Sequence, residues 1–491
     1  MKPVTLSLAT LDALPAAVER PRYDRTRVRC GIVHLGLGAF HRAHQAVYTE
    51  QVLASGDLGW GIIGASLRSP ATRDALAPQD GLYTVSVRGP DAPHYQVIGA
   101  IQQSLVASEN PQALIAAMAH EDVKIVSLTV TEKGYCHDPA TGELNETHPD
   151  IVHDLAHPDA PRSAIGFLMA GLRHRYAKGL KPFTVLTCDN LPANGHTVSK
   201  VLRRYAQLSD PGLADAIAHD VAFPSTMVDR IVPSTTDVDR ATLAEAGLVD
   251  AWPIMTEPFT QWVIEDHFPL GRPDWGRFGA QLVADVLPFE TMKLRMLNGA
   301  HSTLAYLGYL SGYDTVAEAM GDAALAALVE RMMSEDIPST LIIPEGTDVA
   351  AYRQSLLERF RNPALRHRTW QIAMDGSQKL PQRLLGPARD LLAQGRPLDR
   401  IALGVAAWMR YVTGIDEHGQ PIDVRDPLAQ ELRQRADAAG RNSEALAQSL
   451  LAIEAVFGTD LPHNPHFTTP VTKALDSLFK QGVRATVQAQ S

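Results

Sequence analysis

The chain has 491 residues, a formal net charge of −10, 45 % hydrophobic residues and 20 % charged ones. That composition excludes wholesale disorder, and 35 glycines with 33 prolines are too few for a fibrous or low-complexity protein. The acidic balance argues against a nucleic-acid partner, and three scattered cysteines, Cys30, Cys136 and Cys188, form no disulfide framework and suit a reducing, cytoplasmic setting.

In chain order, the opening residues lack the apolar core of a signal peptide. Residues 31–35 read as a buried strand, followed by a Gly-rich turn and a helix over about 42–53. Residues 61–65 form a second expected strand and 123–130 a third. The spacing of Ile165, Leu168, Met169 and Leu172 predicts a helix over 163–176, and 183–187 reads as another strand. Strands alternating with helices indicate a parallel α/β sheet with helices on both faces. After about residue 285 helix-forming stretches dominate, at 317–334, 387–394, 400–413, 442–457 and 472–480, with Gly and Pro at the turns. Apolar stretches such as 401–409 fall far short of the roughly 20 residues that span a bilayer, so no membrane partner is expected. We expect an α/β domain over 1–287 followed by a mostly α-helical domain over 288–491.

The first strand runs directly into Gly36-Leu37-Gly38-Ala39-Phe40. A turn there can offer backbone N–H groups and a helix start to a pyrophosphate, although His41 stands where a third glycine is usual. Dinucleotide folds often end the second strand with an acid that holds the ribose; here that tip is Ser66-Leu67-Arg68-Ser69. Arg68 is suited to a 2′-phosphate, or is simply solvated, so the choice between NAD and NADP stays open. His34, His41 and His44 have no ligand partner at metal-site spacing and are read as core histidines; no metal is expected.

Further on, Lys293, Asn298 and His301 fall at i, i+5 and i+8. At about 100° per residue all three could border one cavity. Burial would lower the pKa of a lysine towards that of a general base, an amide can donate to a developing alkoxide, and a histidine can orient an oxygen. Taken alone, the pattern fits better a helix with a solvated lysine and a capping asparagine. Thr187-Cys188-Asp189-Asn190 ends a strand, which suits Asn190 to a second amide role and Asp189 equally to capping the turn.

Taken together, the run 36–45, Thr187-Cys188-Asp189-Asn190, Met227-Val228-Asp229-Arg230 and the run 293–301 resemble the polyol-specific long-chain dehydrogenases, the mannitol dehydrogenase family. The resemblance extends over about 28–480. It implies a Rossmann-type domain, a helical C-terminal domain and zinc-independent hydride transfer with NAD or NADP, by a chain that acts as a monomer. It further implies Lys293 as general base, Asn190 and Asn298 as the oxyanion-stabilising pair, and His301 as the residue that positions the substrate hydroxyl. By the same resemblance Asp229 and Lys379 line the substrate pocket, and Glu290 passes the proton to solvent.

The runs 131–136, 292–299 and 370–381 are most similar to the branch that reduces fructuronate to mannonate. Mannitol enzymes typically carry glycine where Lys133 stands and arginine where Gln371 stands. Lys133 follows a strand, where its ammonium could pair with a hexuronate carboxylate, a charge-assisted bond of about 1.5–3 kcal/mol. The expected activity is interconversion of a keto-hexuronate and a hexonate. The alternatives are a mannitol or arabinitol dehydrogenase and, from another class, a nucleotide sensor that has lost catalysis.

Overall fold

The computed structural model describes residues 3–89, 91–138 and 141–490. The chain divides into two compact units, one ending at Leu287 and the other beginning at Pro288.

At the centre of the first unit are five strands: β1 (Ile32–Leu35), β2 (Ile62–Ser66), β3 (Ile101–Val106), β4 (Ile125–Leu128) and β5 (Thr184–Thr187). They pair in the order β3-β2-β1-β4-β5, every pair parallel. This is the doubly wound order in which strand direction of travel reverses at β1, leaving a crevice beyond the carboxyl ends of β1 and β4. The central strands are buried throughout because both faces are covered, and alternate residues serve opposite cores. Val33, Val126 and Val185 pack with the helix side formed by α3 (Ala164–Ala177) and α4 (Asn194–Ser209); Ile32, Ile62, Ile125 and Leu186 pack towards Trp262 and Trp275. Ser163 caps α3 by accepting from Gly166 N at 2.9 Å.

Three departures from expectation matter. The helix predicted over 42–53 is two helices, α1 (Ala39–Ala43) and α2 (Gln45–Ala54), broken at His44. The His44 ring bonds the Gln261 carbonyl at 2.8 Å and packs against Phe40, Tyr48 and Trp262, a tertiary anchor that local propensity does not report. The strand expected to reach residue 130 stops at Leu128, because Asp189 takes the N–H groups of Val130 and Thr131. The unit also carries a mixed four-stranded sheet built from Val18–Glu19, Tyr83–Val87, His94–Ile98 and Ile254–Thr256, which the simple alternation of strand and helix did not announce.

The second unit is helical around α5 (Ala300–Leu310), α6 (Asp399–Tyr411) and α7 (Pro465–Gln488), with Leu304, Leu307, Val405 and Trp408 in its core. The stretch 317–334 is split at Asp322, whose carboxylate caps the following helix by accepting from Ala324 N at 2.9 Å. Likewise 442–457 separates into Ser443–Leu451 and Glu454–Phe457. Among the described residues three wide π-turns interrupt the helices, at Lys293–Gly299, Met332–Asp336 and Pro381–Leu385. Among the described residues no helix is long and apolar enough to cross a membrane.

Candidate active site

The turn after β1 is fixed from below. Gly36 sits at φ +96, and a Cβ there would lie 2.0 Å from the Thr129 carbonyl oxygen, so only glycine fits. Its carbonyl accepts from Thr129 Oγ1 at 2.8 Å, and His34 Nε2 meets the same hydroxyl at 2.8 Å. His34 Nδ1 shares a bond with Ser127 Oγ at 2.8 Å, and burial pushes the ring down to about 3, so it stays neutral. At Gly38 a Cβ would meet only the Gly36 carbonyl, 3.8 Å away: that side of the turn is open to an approaching phosphate. Leu37 is buried, whereas Ala39 and Phe40 begin α1, which is only five residues long and contributes correspondingly little dipole. The turn therefore fits a dinucleotide through its backbone.

Arg68 projects from the loop after β2, 84 % exposed, and is ion-paired with Asp150 at 3.1 Å. Lys133 is exposed on the short 3-10 turn Glu132–Tyr135 after β4. Thr131, just before it, holds φ +65, an uncommon conformation for a β-branched residue and a place where strain is stored beside the sheet's ligand edge. The strain is held by Asp189, which accepts from Val130 N at 2.8 Å, Thr131 N at 3.0 Å and the Tyr135 hydroxyl at 2.7 Å. Asp189 thus secures the loop after the neighbouring strand rather than capping its own turn. Burial raises its carboxyl despite those donors. Asn190 is exposed directly after it, on a loop pinned by Asn194, whose amide donates to the Asp189 and Thr226 carbonyls at 3.0 and 2.8 Å. Asp229 is buried at the end of the strand Thr226–Asp229.

In the second unit Glu290 is half-buried on the helix Leu287–Met292, which runs into the π-turn. Lys293, Asn298 and His301 are 9 %, 9 % and 8 % exposed, so none is a solvated surface group. The angular spacing expected for an α-helix does not hold, because a π-turn closes i→i+5 and takes in an extra residue. Gly299 permits the wide turn to pack closely: a Cβ there would sit 2.8 Å from the Arg383 carbonyl on the third π-turn, Pro381–Leu385. Lys379 is half-buried and donates to the Ile372 and Met374 carbonyls at 3.2 and 2.6 Å, while Gln371 is exposed. The structure therefore brings Lys379 to the His301 neighbourhood and leaves Gln371 at the surface.

Three functional features escaped the sequence. The strain at Thr131, the π-turns, and the approach of His367 and Phe360 to His301 all depend on contacts between distant segments. Among the described residues no group of three or more His, Cys, Asp or Glu side chains could hold a metal ion. His41 stacks on His34 with ring centroids 3.4 Å apart, as a core residue.

Comparison with known proteins places this geometry. The Mannitol dehydrogenase Rossmann domain matches residues 30–277, and the Mannitol dehydrogenase C-terminal domain matches 285–479. A D-mannonate oxidoreductase of Escherichia coli strain K12 is 49 % identical over 477 residues, covering 96 % of this chain and 98 % of the relative. A mannitol 2-dehydrogenase of Aspergillus fumigatus is 42 % identical over 501 residues, 99 % of each. Among solved structures, the Pseudomonas fluorescens mannitol 2-dehydrogenase in ternary complex with NAD and D-mannitol superposes with a TM-score of 0.90, at 41 % identity and 99 % coverage of both chains. The chain belongs to the mannitol dehydrogenase family and is an oxidoreductase, its Rossmann domain followed by the helical C-terminal domain of that family.

Proposed function

We propose that the protein is an NAD-dependent, zinc-independent oxidoreductase that interconverts a keto-hexuronate and a hexonate, of the fructuronate and mannonate type. The observation that carries the reading is the burial of Lys293 on one π-turned segment with Asn298 and His301. The 49 % identity to a D-mannonate oxidoreductase supports the substrate class.

NAD, when bound, supplies the hydride acceptor or donor. The open face of Gly38 and the backbone of Leu37, Ala39 and Phe40 would hold it; Arg68, engaged with Asp150, supports NAD over NADP. Lys293 takes the proton of the substrate alcohol and returns it in reduction. Asn298 donates its amide to the oxygen as negative charge develops, the role also proposed for Asn190. His301 orients the hydroxyl, Asp229 and Lys379 bind the remaining sugar oxygens, and Glu290 relays the proton to solvent. Gln371 and Lys133 are proposed as outer substrate contacts. Three unpaired cysteines support a cytoplasmic place for the enzyme, and the family resemblance supports a monomer.

The competing reading is a hexitol dehydrogenase, favoured by the likeness to an enzyme solved with D-mannitol. Following NADH and NADPH oxidation with fructuronate, tagaturonate and fructose, before and after chelation, tests both. We expect metal-independent turnover of fructuronate with NADH. Preference for fructose would install the hexitol reading, and no turnover of any sugar or sugar acid would return the chain to a sensor.

A further inference from the structure

Around His301 the second unit gathers groups that are far apart in sequence. The His301 ring meets that of His367 edge to face, centroids 4.7 Å apart, and stacks on Phe360 at 5.0 Å. His301 Nε2 and His367 Nδ1 are buried, and among the described residues neither has a hydrogen-bond partner. Buried polar atoms are nearly always satisfied, so two unsatisfied nitrogens on facing rings point to a partner from outside the chain. The charged side chains that act most strongly on His301 are all cationic: Arg383, Arg359 and Lys379. Arg383 Nη1 reaches Ser302 Oγ, beside His301, at 3.1 Å, and Arg359, next to Phe360, is itself buried.

We propose that His367 is a specificity-determining residue that, beside His301 and beneath the positive field of Arg359, Lys379 and Arg383, donates to the carboxylate of the sugar-acid substrate, while His301 keeps the hydroxyl. The inference rests on the sugar-acid reading above. A carboxylate only accepts hydrogen bonds, and a neutral imidazole has one N–H to donate. Both rings remain neutral at ordinary pH, because burial and the surrounding positive groups lower His301 well below the usual histidine range and His367 to about 4. Water or a hydroxyl would satisfy the two nitrogens as well; the ring of cations is what selects an anion. An uncharged hydroxymethyl group at that position gains nothing from it.

The experiment is a pair of variants, His367→Phe, which keeps a flat ring without a donor, and His367→Gln, which restores a donor. With fructuronate, the Phe variant should raise KM by roughly tenfold or more and change kcat by less than about threefold, the pattern of a lost bond to a charged group. KM for fructose should rise clearly less than KM for fructuronate, because a hydroxyl makes only a neutral hydrogen bond there, and the Gln variant should recover part of the loss. Equal effects on the two sugars, or none, overturn the subsite. Wild-type enzyme that prefers fructose overturns both this subsite and the reading it rests on. Wild-type preference for fructuronate with an indifferent Phe variant overturns the subsite alone. Should neither variant fold, binding of D-mannonate and of its uncharged amide to wild-type enzyme decides: the amide should bind at least about tenfold more weakly, and equal affinity rejects the proposal.

Discussion

Arg175 in the first unit and His301 in the second are both hidden from solvent, yet their polar atoms end differently. Arg175 donates to the carbonyls of Lys181, His120 and Val123 at 2.7, 2.8 and 2.9 Å. Buried acids of the same unit do the converse. Asp250 accepts from Thr84 N and Trp252 N, Asp154 from Arg162 N and Ser163 N, and Glu50 from Gly99 N. Buried charge there fixes backbone, and it holds loops in shapes that secondary structure alone cannot hold. Beside His301, among the described residues, two buried ring nitrogens have no hydrogen-bond partner, as is also true of His41 in the first unit, but here the charged side chains that act most strongly are cations. The lesson is one of emphasis: buried charges of the Rossmann unit hold its backbone in place, whereas the helical unit keeps buried polar side chains that no backbone group claims.

The sharpest way to break that contrast is Lys293→Ala. Turnover should fall by at least ~10²-fold, the lower end for loss of general acid–base catalysis, while NADH affinity measured by fluorescence titration stays near wild type. Near-normal turnover, or a matching loss of NADH affinity, would place the chemistry elsewhere.

Glu50 tests the first unit's use of buried charge. Burial pushes its carboxyl up to about 7 from the ordinary value of about 4.5, against the bonds it accepts from Gly99 N and the Tyr23 hydroxyl. Its folded pKa lies above its unfolded one, so the stability it contributes is fully present below about pH 4.5 and is lost as pH rises through about 7. The shift corresponds to about 3 kcal/mol. Urea midpoints at pH 5 and 8 should therefore show a smaller loss in Glu50→Gln than in wild type. The same pH slope in both proteins rules the mechanism out.

Gly36 and Gly38 separate structure from binding within one turn. Gly36→Ala meets the Thr129 carbonyl and a positive φ, a cost of about 1–3 kcal/mol from the backbone strain alone, and should lower both Tm and NADH affinity. Gly38→Ala has open space, so its Tm should hold while NADH affinity falls. Equal Tm losses would show that the open side of the turn is structural after all.

These residues also mark where the sequence speaks and where it is silent. β1, β2, β4 and β5 are legible because a strand buried on both faces reads as an unbroken apolar run, and the glycine turn because backbone chemistry constrains residue type locally. β3 went unrecognised: as an edge strand it carries Gln102, Gln103 and Ser104 and shows no apolar run. The π-turn at Lys293 was not read from the local sequence, and its Gly299 packs closely on the Arg383 carbonyl of a distant segment. The residues of the 293–301 segment could be named from the sequence, but their angular arrangement and the arrival of His367 could not.

Lys133 is where the two units would be most alike if the sequence expectation held. A desolvated ammonium on a hexuronate carboxylate would be worth about 1.5–3 kcal/mol, but the turn Glu132–Tyr135 leaves Lys133 exposed. Exposed ion pairs contribute about 0.2–1 kcal/mol, because water screens them and the long side chain must be ordered. Lys133→Gly should therefore raise KM for fructuronate by no more than about fivefold and leave fructose unaffected, a smaller effect than His367→Phe. Raising the salt concentration should shrink even that difference, since a solvated pair is screened within about 10 Å at 0.1 M. Asp189 provides the control, because it holds the Thr131 backbone whatever residue stands at 133. A rise above about tenfold that resists salt would mean that the ammonium is desolvated when substrate binds. The first unit would then contribute a charged side chain to recognition of the carboxylate, as His367 and its cationic neighbours do in the second, beyond the roles proposed for Asn190 and Asp229.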